Sequence, residues 1–295
     1  MMLPLVTVIC NCFNHEGFVL QAIQSVLNQT YKNIELIVIN NGSTDNSSQI
    51  ISTFLKQYPE IKYINLPETI SITKAFNKAA KYANGVYFID LAADDVLLED
   101  CIEKQTSFFS QQSDNVALIF GNAYHINENG QKLKPYFPVN DNNNVIDSSL
   151  FNTNYVKLLS SGLSICSVSA MFTKKHFELL NGFNEDLFFE DLDYWLRLSR
   201  QFEIKFIDDF LVEKRFLENS LGNQFYDKKT YSKNINKSLR IIYNQSLKRN
   251  ISKEENKALL KRIHFSMDKC LKNKLWLELF KFSIIKLKCH LYLLK

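Results

Sequence analysis

The chain has 295 residues, of which 46% are hydrophobic and 22% charged, a composition typical of a globular protein with a sizeable core. No uninterrupted apolar run approaches the ~20 residues that a membrane-spanning helix needs. The six cysteines form no CxxC pair, which argues against a zinc ribbon or a dithiol redox motif and favours reduced thiols in a cytosolic protein. The opening MMLPLVTVIC has no basic leader, so we expect a first strand rather than a signal peptide.

The net charge of +4 conceals an asymmetry along the chain. Residues 1–227 contain 17 basic and 27 acidic side chains, whereas residues 228–295 contain 18 basic and 4 acidic ones. Strongly basic segments usually bind an anionic partner, either a membrane surface or a nucleic acid. We therefore expect an acidic body that carries a basic C-terminal segment.

The first 95 residues alternate between strand and helix patterns. Continuous apolar runs predict strands, and apolar residues at helical spacing predict helices between them. The predicted strands are LVTVICNCF and residues 35–39, 61–65 and 86–91; the predicted helices cover 16–29, 47–58 and 71–84. Such alternation predicts an α/β fold with a mainly parallel sheet and helices on its faces.

The second half is less regular. Residues 116–120 and 165–172 have the composition of strands, and 122–163 form a loop-rich segment. From about residue 231 onwards the pattern is helical. We place a domain boundary near residue 225, which divides the chain into 1–225 and a basic helical extension, 226–295.

Polar residues follow three of the predicted strands, and the carboxyl ends of parallel strands meet at one sheet edge, where ligands bind. The first cluster is Asn11–Asn14, the second Asn40–Ser43, and the third the pair Asp94 and Asp95. Adjacent carboxylates at such an edge suit a divalent cation that also binds substrate phosphates. The alternative is that Asp95 caps a helix beginning near residue 97.

A second acidic cluster lies in GFNEDLFFEDLDYWLRLSRQ, residues 182–201. Glu190 and Asp191 follow two phenylalanines and precede a helical pattern, so either could serve as a general base at the mouth of a pocket. The alternative is a capped helix whose Arg197 and Arg200 make surface ion pairs.

Together these segments resemble the family-2 glycosyltransferases, which have the GT-A (Rossmann-like) fold, over residues 5–215. VTVICNCFNHEGFVLQAIQSVLNQTYKNIELIVINNGSTDNS is similar to the family's nucleotide-binding opening. SITKAFNKAAKYANGVYFIDLAADD is similar to the stretch that ends in its D-x-D metal motif, and GFNEDLFFEDLDYWLRL to the segment with its catalytic base. Residues 1–225 would then be the catalytic domain.

The resemblance implies a role for each matching position. The residues implied to bind the nucleotide sugar are Cys12, Phe13, Asn14, Glu16, Asn40, Asp94 and Asp95. Asp94 would also hold a Mg²⁺ or Mn²⁺ ion. Asp191 would be the general base with Glu190 beside it. The implied reaction is a single displacement that inverts the anomeric carbon of a nucleotide sugar and releases a nucleoside diphosphate.

Several positions depart from the family pattern. Asn11 stands where Pro is frequent, and Asn40 or Asn41 where Asp is usual. Ala92 replaces the first acid of the D-x-D motif, and Leu217 lies where a His is often found. Since these changes remove acidic and imidazole groups, we expect Asp94 alone to anchor a cation shared with the diphosphate.

The segment 272–295, KNKLWLELFKFSIIKLKCHLYLLK, combines aromatic and aliphatic residues with lysines. A helix of this kind can lie in a membrane interface, which would suit a lipid-linked saccharide acceptor. The alternatives are a helix packed on the catalytic domain and a helix that forms a homodimer. No nucleic-acid-binding motif accompanies the lysines, so we expect no nucleic-acid partner. This predicts a cytoplasmic enzyme that is peripheral on the inner face of the cell membrane.

The leading hypothesis is therefore an inverting glycosyltransferase of bacterial surface-polysaccharide synthesis, such as capsule or lipopolysaccharide, with a UDP-sugar as donor. One alternative is a sugar-phosphate nucleotidyltransferase, which shares the layered α/β plan. Another is a nucleotide-binding module without catalysis, since Ala92 and Asn40 each remove an acid. The intact Glu190-Asp191 pair favours an active enzyme.

Overall fold

The structure is a computed structural model that describes residues 3–161, 165–217 and 232–294. The domain boundary expected near residue 225 lies outside the described residues. In the N-terminal half, strands and helices alternate as the sequence predicts. The elements are β1 (Val6–Cys12), α1 (Val19–Leu27), β2 (Ile34–Asn41), α2 (Ser47–Phe54), β3 (Lys62–Leu66), α3 (Ile72–Ala80) and β4 (Tyr87–Ala92).

The middle of the chain continues the sheet with shorter helices. Its elements are β5 (Val96–Leu97), α4 (Cys101–Ser110), β6 (Val116–Ile126), β7 (Lys132–Pro135), α5 (Tyr155–Ser160), β8 (Met171–Thr173), α6 (Lys174–Leu179), α7 (Asp191–Leu198) and β9 (Glu203–Arg215). The predicted strand at 165–172 is mostly wrong, since 167–169 form a 3₁₀ turn and only the end of the segment enters β8.

The strands form one sheet in the order β3-β2-β1-β4-β8-β6-β9-β5, with β7 added to β6. β3, β2, β1 and β4 are parallel, as predicted, whereas β8 is antiparallel to both of its neighbours. β6 and β9 are again parallel, so the sheet as a whole is mixed. This order brings the carboxyl ends of β1, β2 and β4 to one edge.

The strands at the centre of the sheet are buried on both faces. Every residue of β1 is buried, as are the last six of β2, which is why both have continuous apolar patterns. Gly85 precedes β4 because a Cβ there would lie 2.5 Å from the backbone nitrogen of Thr7. The close approach of these two backbones allows β4 to pair directly with β1.

Within the described residues 232–294 the chain forms three helices: α8 (Ser232–Arg249), α9 (Lys253–Lys272) and α10 (Trp276–Leu294). They are packed on the N-terminal α/β part rather than separated from it. Arg200, just after α7, forms an ion pair with Glu255 of α9 at 2.5 Å, and Ser238 of α8 accepts a hydrogen bond from the backbone of Phe188. Among the described residues, no helix is both long and apolar enough to cross a membrane.

Candidate active site

The loops after β1 and β2 are joined by side-chain hydrogen bonds. Asn14, whose φ of 56° is in the left-handed region, accepts a bond from the amide of Thr44 at 2.8 Å. Glu16 accepts bonds from the amide and the side chain of Asn46 at 2.8 and 2.7 Å. Asn14 and Glu16 were predicted to line a nucleotide pocket, and in the structure their side chains join the loop after β1 to the loop after β2, which together form a rim.

Two other predicted ligand residues are buried beneath this rim. Cys12 is fully buried at the end of β1, and burial raises the pKa of its thiol. Asn40 is also buried and donates a hydrogen bond to the side chain of Asn65 at 2.7 Å. Phe13, in contrast, is 38% exposed and presents an aromatic ring at the rim.

Asp94 and Asp95 follow β4 in a tight turn rather than capping a helix. The amide of Asp95 donates to the carbonyl of Ala92, and β5 begins directly afterwards. The helix expected near residue 97 begins at Cys101 instead, so the capping alternative for Asp95 is wrong. These two carboxylates therefore remain at the carboxyl edge of the sheet.

Arg215, at the end of β9, holds this turn in place. Its amide donates to Asp95 Oδ1 at 2.8 Å, and its Nε donates to the carbonyl of Asp94 at 2.9 Å. The same guanidinium donates to Gln21 and lies 4.6 Å from the ring centroid of Phe18. Because the guanidinium is buried among protein partners, it acts as an anchor for the turn rather than as a ligand for a diphosphate.

Glu190 and Asp191 lie at the start of α7, as the sequence predicts. Glu190 is its N-cap residue, and Asp191 accepts a bond from the amide of Leu192. Burial raises the pKa of both carboxyl groups, and for Glu190 the neighbouring charges of Asp191 and Asp90 raise it further. One carboxylate oxygen of Glu190 is buried and has no hydrogen-bond partner among the described residues.

Arg197 of α7 and Arg200, which follows α7, have structural roles. Arg197 pairs with the buried Asp193 at 2.7 Å and donates to the carbonyls of Leu180 and Gly182. Arg200 pairs with Glu255, as described above. They are thus partly buried anchors of α7 rather than the surface pairs of the alternative hypothesis.

Both acidic clusters act on Lys214, which the sequence patterns did not single out. Burial, the largest influence, lowers the pKa of its ammonium, but Asp95, Asp94 and Asp191 together raise the pKa above its ordinary value. Lys214 in turn lowers the pKa of Asp191 and of Glu190. Asp94 and Asp191, which lie almost 100 positions apart in sequence, thus both interact electrostatically with Lys214.

Burial also raises the pKa of two further carboxyl groups in this region. Asp95 has a pKa of about 7, to which the charge of Asp94 contributes, and Asp90 of β4 has a pKa of about 7 as well. The charge of Asp90 also raises the pKa of Glu190. The region therefore collects acidic groups near Lys214, Arg215 and Arg262, which is the electrostatic environment of a site rather than of a solvated surface.

Comparison with known proteins identifies the family of the chain. The family model described as glycosyl transferase family 2 matches residues 7–178. The chain belongs to glycosyl transferase family 2. An uncharacterized glycosyltransferase of Rickettsia felis is 30% identical over 214 residues, which are 72% of this chain and 34% of that protein. The chain spans about a third of the length of such relatives.

Solved glycosyltransferase structures share the fold. Residues 1–349 of S. aureus TarS in complex with UDP-GlcNAc superpose with a TM-score of 0.67 at 16% identity, over 89% of this chain and 73% of that one. The mannosyltransferase PcManGT of Pyrobaculum calidifontis, in complex with GDP-Man and Mn²⁺, gives a TM-score of 0.64 at 15% identity, over 97% and 74%. The expected GT-A fold of this family-2 glycosyltransferase is thereby confirmed.

The side chains near the Asp94 turn could hold a divalent cation that is also bound by a nucleotide. His15 Nδ1 lies 3.9 Å from Asp94 Oδ1, and this buried nitrogen has no hydrogen-bond partner in the part of the chain that the structure describes. Two protein ligands at this separation can share one ion, and substrate phosphates can complete its coordination. Within the described residues no three His, Cys, Asp or Glu side chains form a metal cluster, so the nucleotide would have to supply the remaining ligands. His15 was not predicted as a ligand.

One groove in the described part of the chain lies elsewhere. It has a volume of about 570 Å³ and is lined by polar residues that include Lys104, Asn143 and Asp209. None of the predicted site residues contributes to its lining. The electrostatic coupling through Lys214 and the sheet topology, rather than the groove, locate the candidate active site.

Proposed function

We propose that the protein is an inverting glycosyltransferase that moves a hexosyl group from a UDP-sugar to a saccharide acceptor in surface-polysaccharide synthesis. The observation that carries this proposal is that the carboxyl ends of β1, β2 and β4 lie at one edge of the sheet, with Asp94, Asp95 and Asp191 all acting on the pKa of Lys214. Membership of glycosyl transferase family 2 supports the reaction class. UDP-GlcNAc in the complex of the structurally similar TarS supports a UDP-sugar donor.

Asp191 would act as the general base. Its carboxylate accepts the proton of an acceptor hydroxyl, whose oxygen attacks the anomeric carbon from the face opposite the diphosphate. The bond between that carbon and the diphosphate oxygen breaks, and the nucleoside diphosphate leaves with the electron pair. A carboxyl group whose pKa is raised by burial is a stronger base than a solvated one, which suits this role.

Glu190 would bind the acceptor beside the base. Its unpartnered oxygen can accept a hydrogen bond from a sugar hydroxyl. Lys214 stabilises the ionised form of Asp191 and would attract the diphosphate to the same region. These two side chains would therefore orient the reactants on the two sides of the bond that breaks.

Asp94 and His15 would hold the cation. Mg²⁺ or Mn²⁺ at this place would neutralise the charge that develops on the departing diphosphate. The Mn²⁺ in the PcManGT complex supports the use of a divalent ion. Asp95, fixed by Arg215, would lie beside the donor sugar.

The nucleoside would occupy the rim formed by the first two loops. Phe13 offers an exposed ring on which a base can stack. Asn14 and Glu16 keep the two loops together, and the buried Cys12 and Asn40 support them from below. The acceptor would be a glycan or a lipid-linked saccharide, and the enzyme would then work at the inner face of the cell membrane.

Replacing the base tests the proposal directly. The Asp191→Asn variant should lose at least about 10³-fold in kcat, because the amide cannot accept the acceptor proton. UDP affinity, measured by titration calorimetry, should stay within about twofold of the wild type. Asp186→Asn provides a matched control, since this exposed acid lies in the same segment.

The assay would follow donor turnover over a panel of nucleotide sugars with Mn²⁺ present. Turnover by the wild type that is lost in Asp191→Asn and kept in Asp186→Asn supports the proposal. Absence of turnover in all three proteins, combined with tight UDP binding, would favour a nucleotide-binding module instead. Equal turnover in Asp191→Asn would exclude Asp191 as the base.

A further inference from the structure

Helix α10 presents an apolar face to the outside. Large exposed side chains recur along it every three or four residues, which places most of them within an arc of about 100° at 3.6 residues per turn. They are Trp276, Leu277, Phe280, Ile284, Leu287, Leu291 and Leu294. Phe280 is 64% exposed and Leu287 63%, so this stripe is not covered by the rest of the described chain. We name these seven residues the outer stripe.

The opposite side of α10 is packed in the core. Phe282, Ile285 and Cys289 are buried, and the ring of Phe282 lies 5.8 Å from that of Tyr243 in α8. The sulfhydryl of Cys289 donates to the carbonyl of Asn256 in α9. The helix thus has two apolar sides, and only the inner one is needed to hold it on the protein.

The charges beside the outer stripe are positive. Lys281 and Lys288 lie next to it on one flank, and Lys286 lies between the other flank and the packed side at helical spacing. Glu278, which is the single acid of α10, points to the packed side, where it is buried and pairs with Arg240 and Lys281. No acidic side chain of α10 therefore faces outwards to pair with a basic partner.

We infer that the outer stripe is a docking surface for an anionic phospholipid bilayer. A helix with exposed aliphatic and aromatic side chains between lysines inserts its apolar side at the level of the headgroups, where the lysines meet lipid phosphates. Trp276, at the start of the stripe, is 63% exposed, and an indole is well suited to the level of the headgroups. A second copy of the chain fits this stripe less well, because its lysines would approach the same lysines without acids to pair them.

Docking through α10 would also orient the catalytic body. α10 packs on α9, and Glu255 of α9 pairs with Arg200 directly after α7, the helix that begins with Asp191. The membrane contact is thus linked to the candidate base through packed helices. This inference concerns lipid binding and does not depend on the proposed reaction, although a lipid-linked acceptor would benefit from it.

Vesicle sedimentation of the whole chain tests the inference. The wild type should sediment with phosphatidylcholine vesicles containing phosphatidylglycerol, and less so as salt is raised. The double variant Phe280→Ser/Leu287→Ser should bind these vesicles at least about tenfold more weakly. Leu133→Ser/Leu179→Ser is the matched control, because both of its leucines are exposed and lie outside α10.

A second pair of substitutions tests the charge. Lys286→Gln/Lys288→Gln should weaken binding to the anionic vesicles about 10- to 30-fold at low salt. UDP binding, measured on each variant, should be unchanged, which separates loss of docking from loss of fold or of the proposed activity. The inference would be overturned if the wild type does not sediment with anionic vesicles, or if the stripe variant binds them as well as the control does. A wild-type dimer in light scattering that the stripe variant converts to a monomer would overturn it as well.

Discussion

Lys214 is a central side chain of the candidate active site, because its field reaches both acidic clusters. The Lys214→Met variant keeps the length of the side chain and removes the charge. Since Lys214 lowers the pKa of Asp191, its loss should raise that pKa further. We therefore expect the acidic limb of the pH profile of kcat/KM to move to higher pH, together with about a 10²-fold loss of kcat/KM at pH 7.

The sign of this shift follows from the role of the base. A general base works when it is deprotonated, so activity falls as the pH drops below the pKa of Asp191. Lys205→Met is the matched control, because Lys205 lies on the same strand and pairs with Glu203 at the sheet end. A Lys214→Met variant whose profile coincides with that of the wild type would show that the lysine does not act on the base.

His15 provides a second test at the residue scale. If His15 Nδ1 ligates the ion, pulsed electron paramagnetic resonance of Mn²⁺ bound together with UDP should show modulation from a ¹⁴N nucleus. That modulation should vanish in His15→Gln, with about a three- to tenfold weaker Mn²⁺ affinity. Asp94→Ala should weaken Mn²⁺ binding more strongly, because it removes the charged ligand.

His264→Gln in α9 controls for a change in histidine content, since this residue is exposed and remote from β1 in sequence. Nitrogen modulation that persists in His15→Gln would exclude the histidine as a ligand. Unchanged Mn²⁺ affinity in Asp94→Ala would exclude a metal site at this turn altogether.

Sequence patterns predicted the acidic residues of the candidate site but not its basic side chains. Asp94 and Asp191 follow from the order and spacing of motifs. Lys214 lies on a strand near other charged residues, and such a pattern usually marks a solvated edge. Its importance arises only when β9 pairs with β6 and its end meets the Asp94 turn. His15 was missed because its partner lies 79 positions away and only folding brings the two together.

At the scale of elements, α7 is fixed by ion pairs to the C-terminal helices. Arg200 donates to both oxygens of Glu255, at 2.5 and 2.9 Å, and Glu255 is largely buried. The Glu255→Gln variant leaves the guanidinium with a weaker partner, so we expect the free energy of unfolding to fall by about 1–3 kcal/mol. Denaturant titration at pH 7 measures this change.

The same pair makes a pH-dependent contribution. Hydrogen bonding to Arg200, the largest cause, lowers the pKa of Glu255 in the folded state. The stability that it provides is thus present above the pKa of the unfolded chain and is lost as the pH falls through the folded value. The exposed Glu254→Gln is the control. If Glu255→Gln and Glu254→Gln unfold at the same denaturant concentration, α7 does not depend on this pair.

The strands and helices of the N-terminal half were predicted correctly, whereas β5 and the segment 165–172 were not. β1, β2 and α1 have unambiguous apolar patterns because each buries a whole face or both faces. β5 has only two residues, Val96–Leu97, and exists because β9 extends far enough to pair with it. The segment 165–172 is apolar because it is buried, and burial alone does not distinguish a 3₁₀ turn from a strand.

At the scale of the whole molecule, the charge asymmetry has a partly structural explanation. Basic residues of the C-terminal helices pair with acids of the body, for example Arg249 with Asp193 at 3.5 Å. Arg262 of α9 also acts on Asp191, whose pKa it lowers. The basic helices therefore contribute to the site as well as to any membrane contact.

This packing decides how the membrane contact should be tested. Deleting α10 would uncover Tyr243 and other buried residues of α8 and α9, so that loss of fold would be confused with loss of docking. Surface substitutions in the outer stripe leave the packed side intact and are the sharper experiment. At the level of sequence, a helix packed on the protein and an amphipathic helix are alternatives for this segment. In the structure α10 has both a packed side and an exposed apolar side.

The most direct test of the proposed site is a crystal structure of the protein with UDP and Mn²⁺. We expect the diphosphate and the ion to lie beside Asp94 and His15, with Lys214 directed at the phosphates and the Asp191 carboxylate facing the same space. Nucleotide bound in the groove near Asn143, or Asp191 separated from the diphosphate by packed side chains, would contradict the proposed active site.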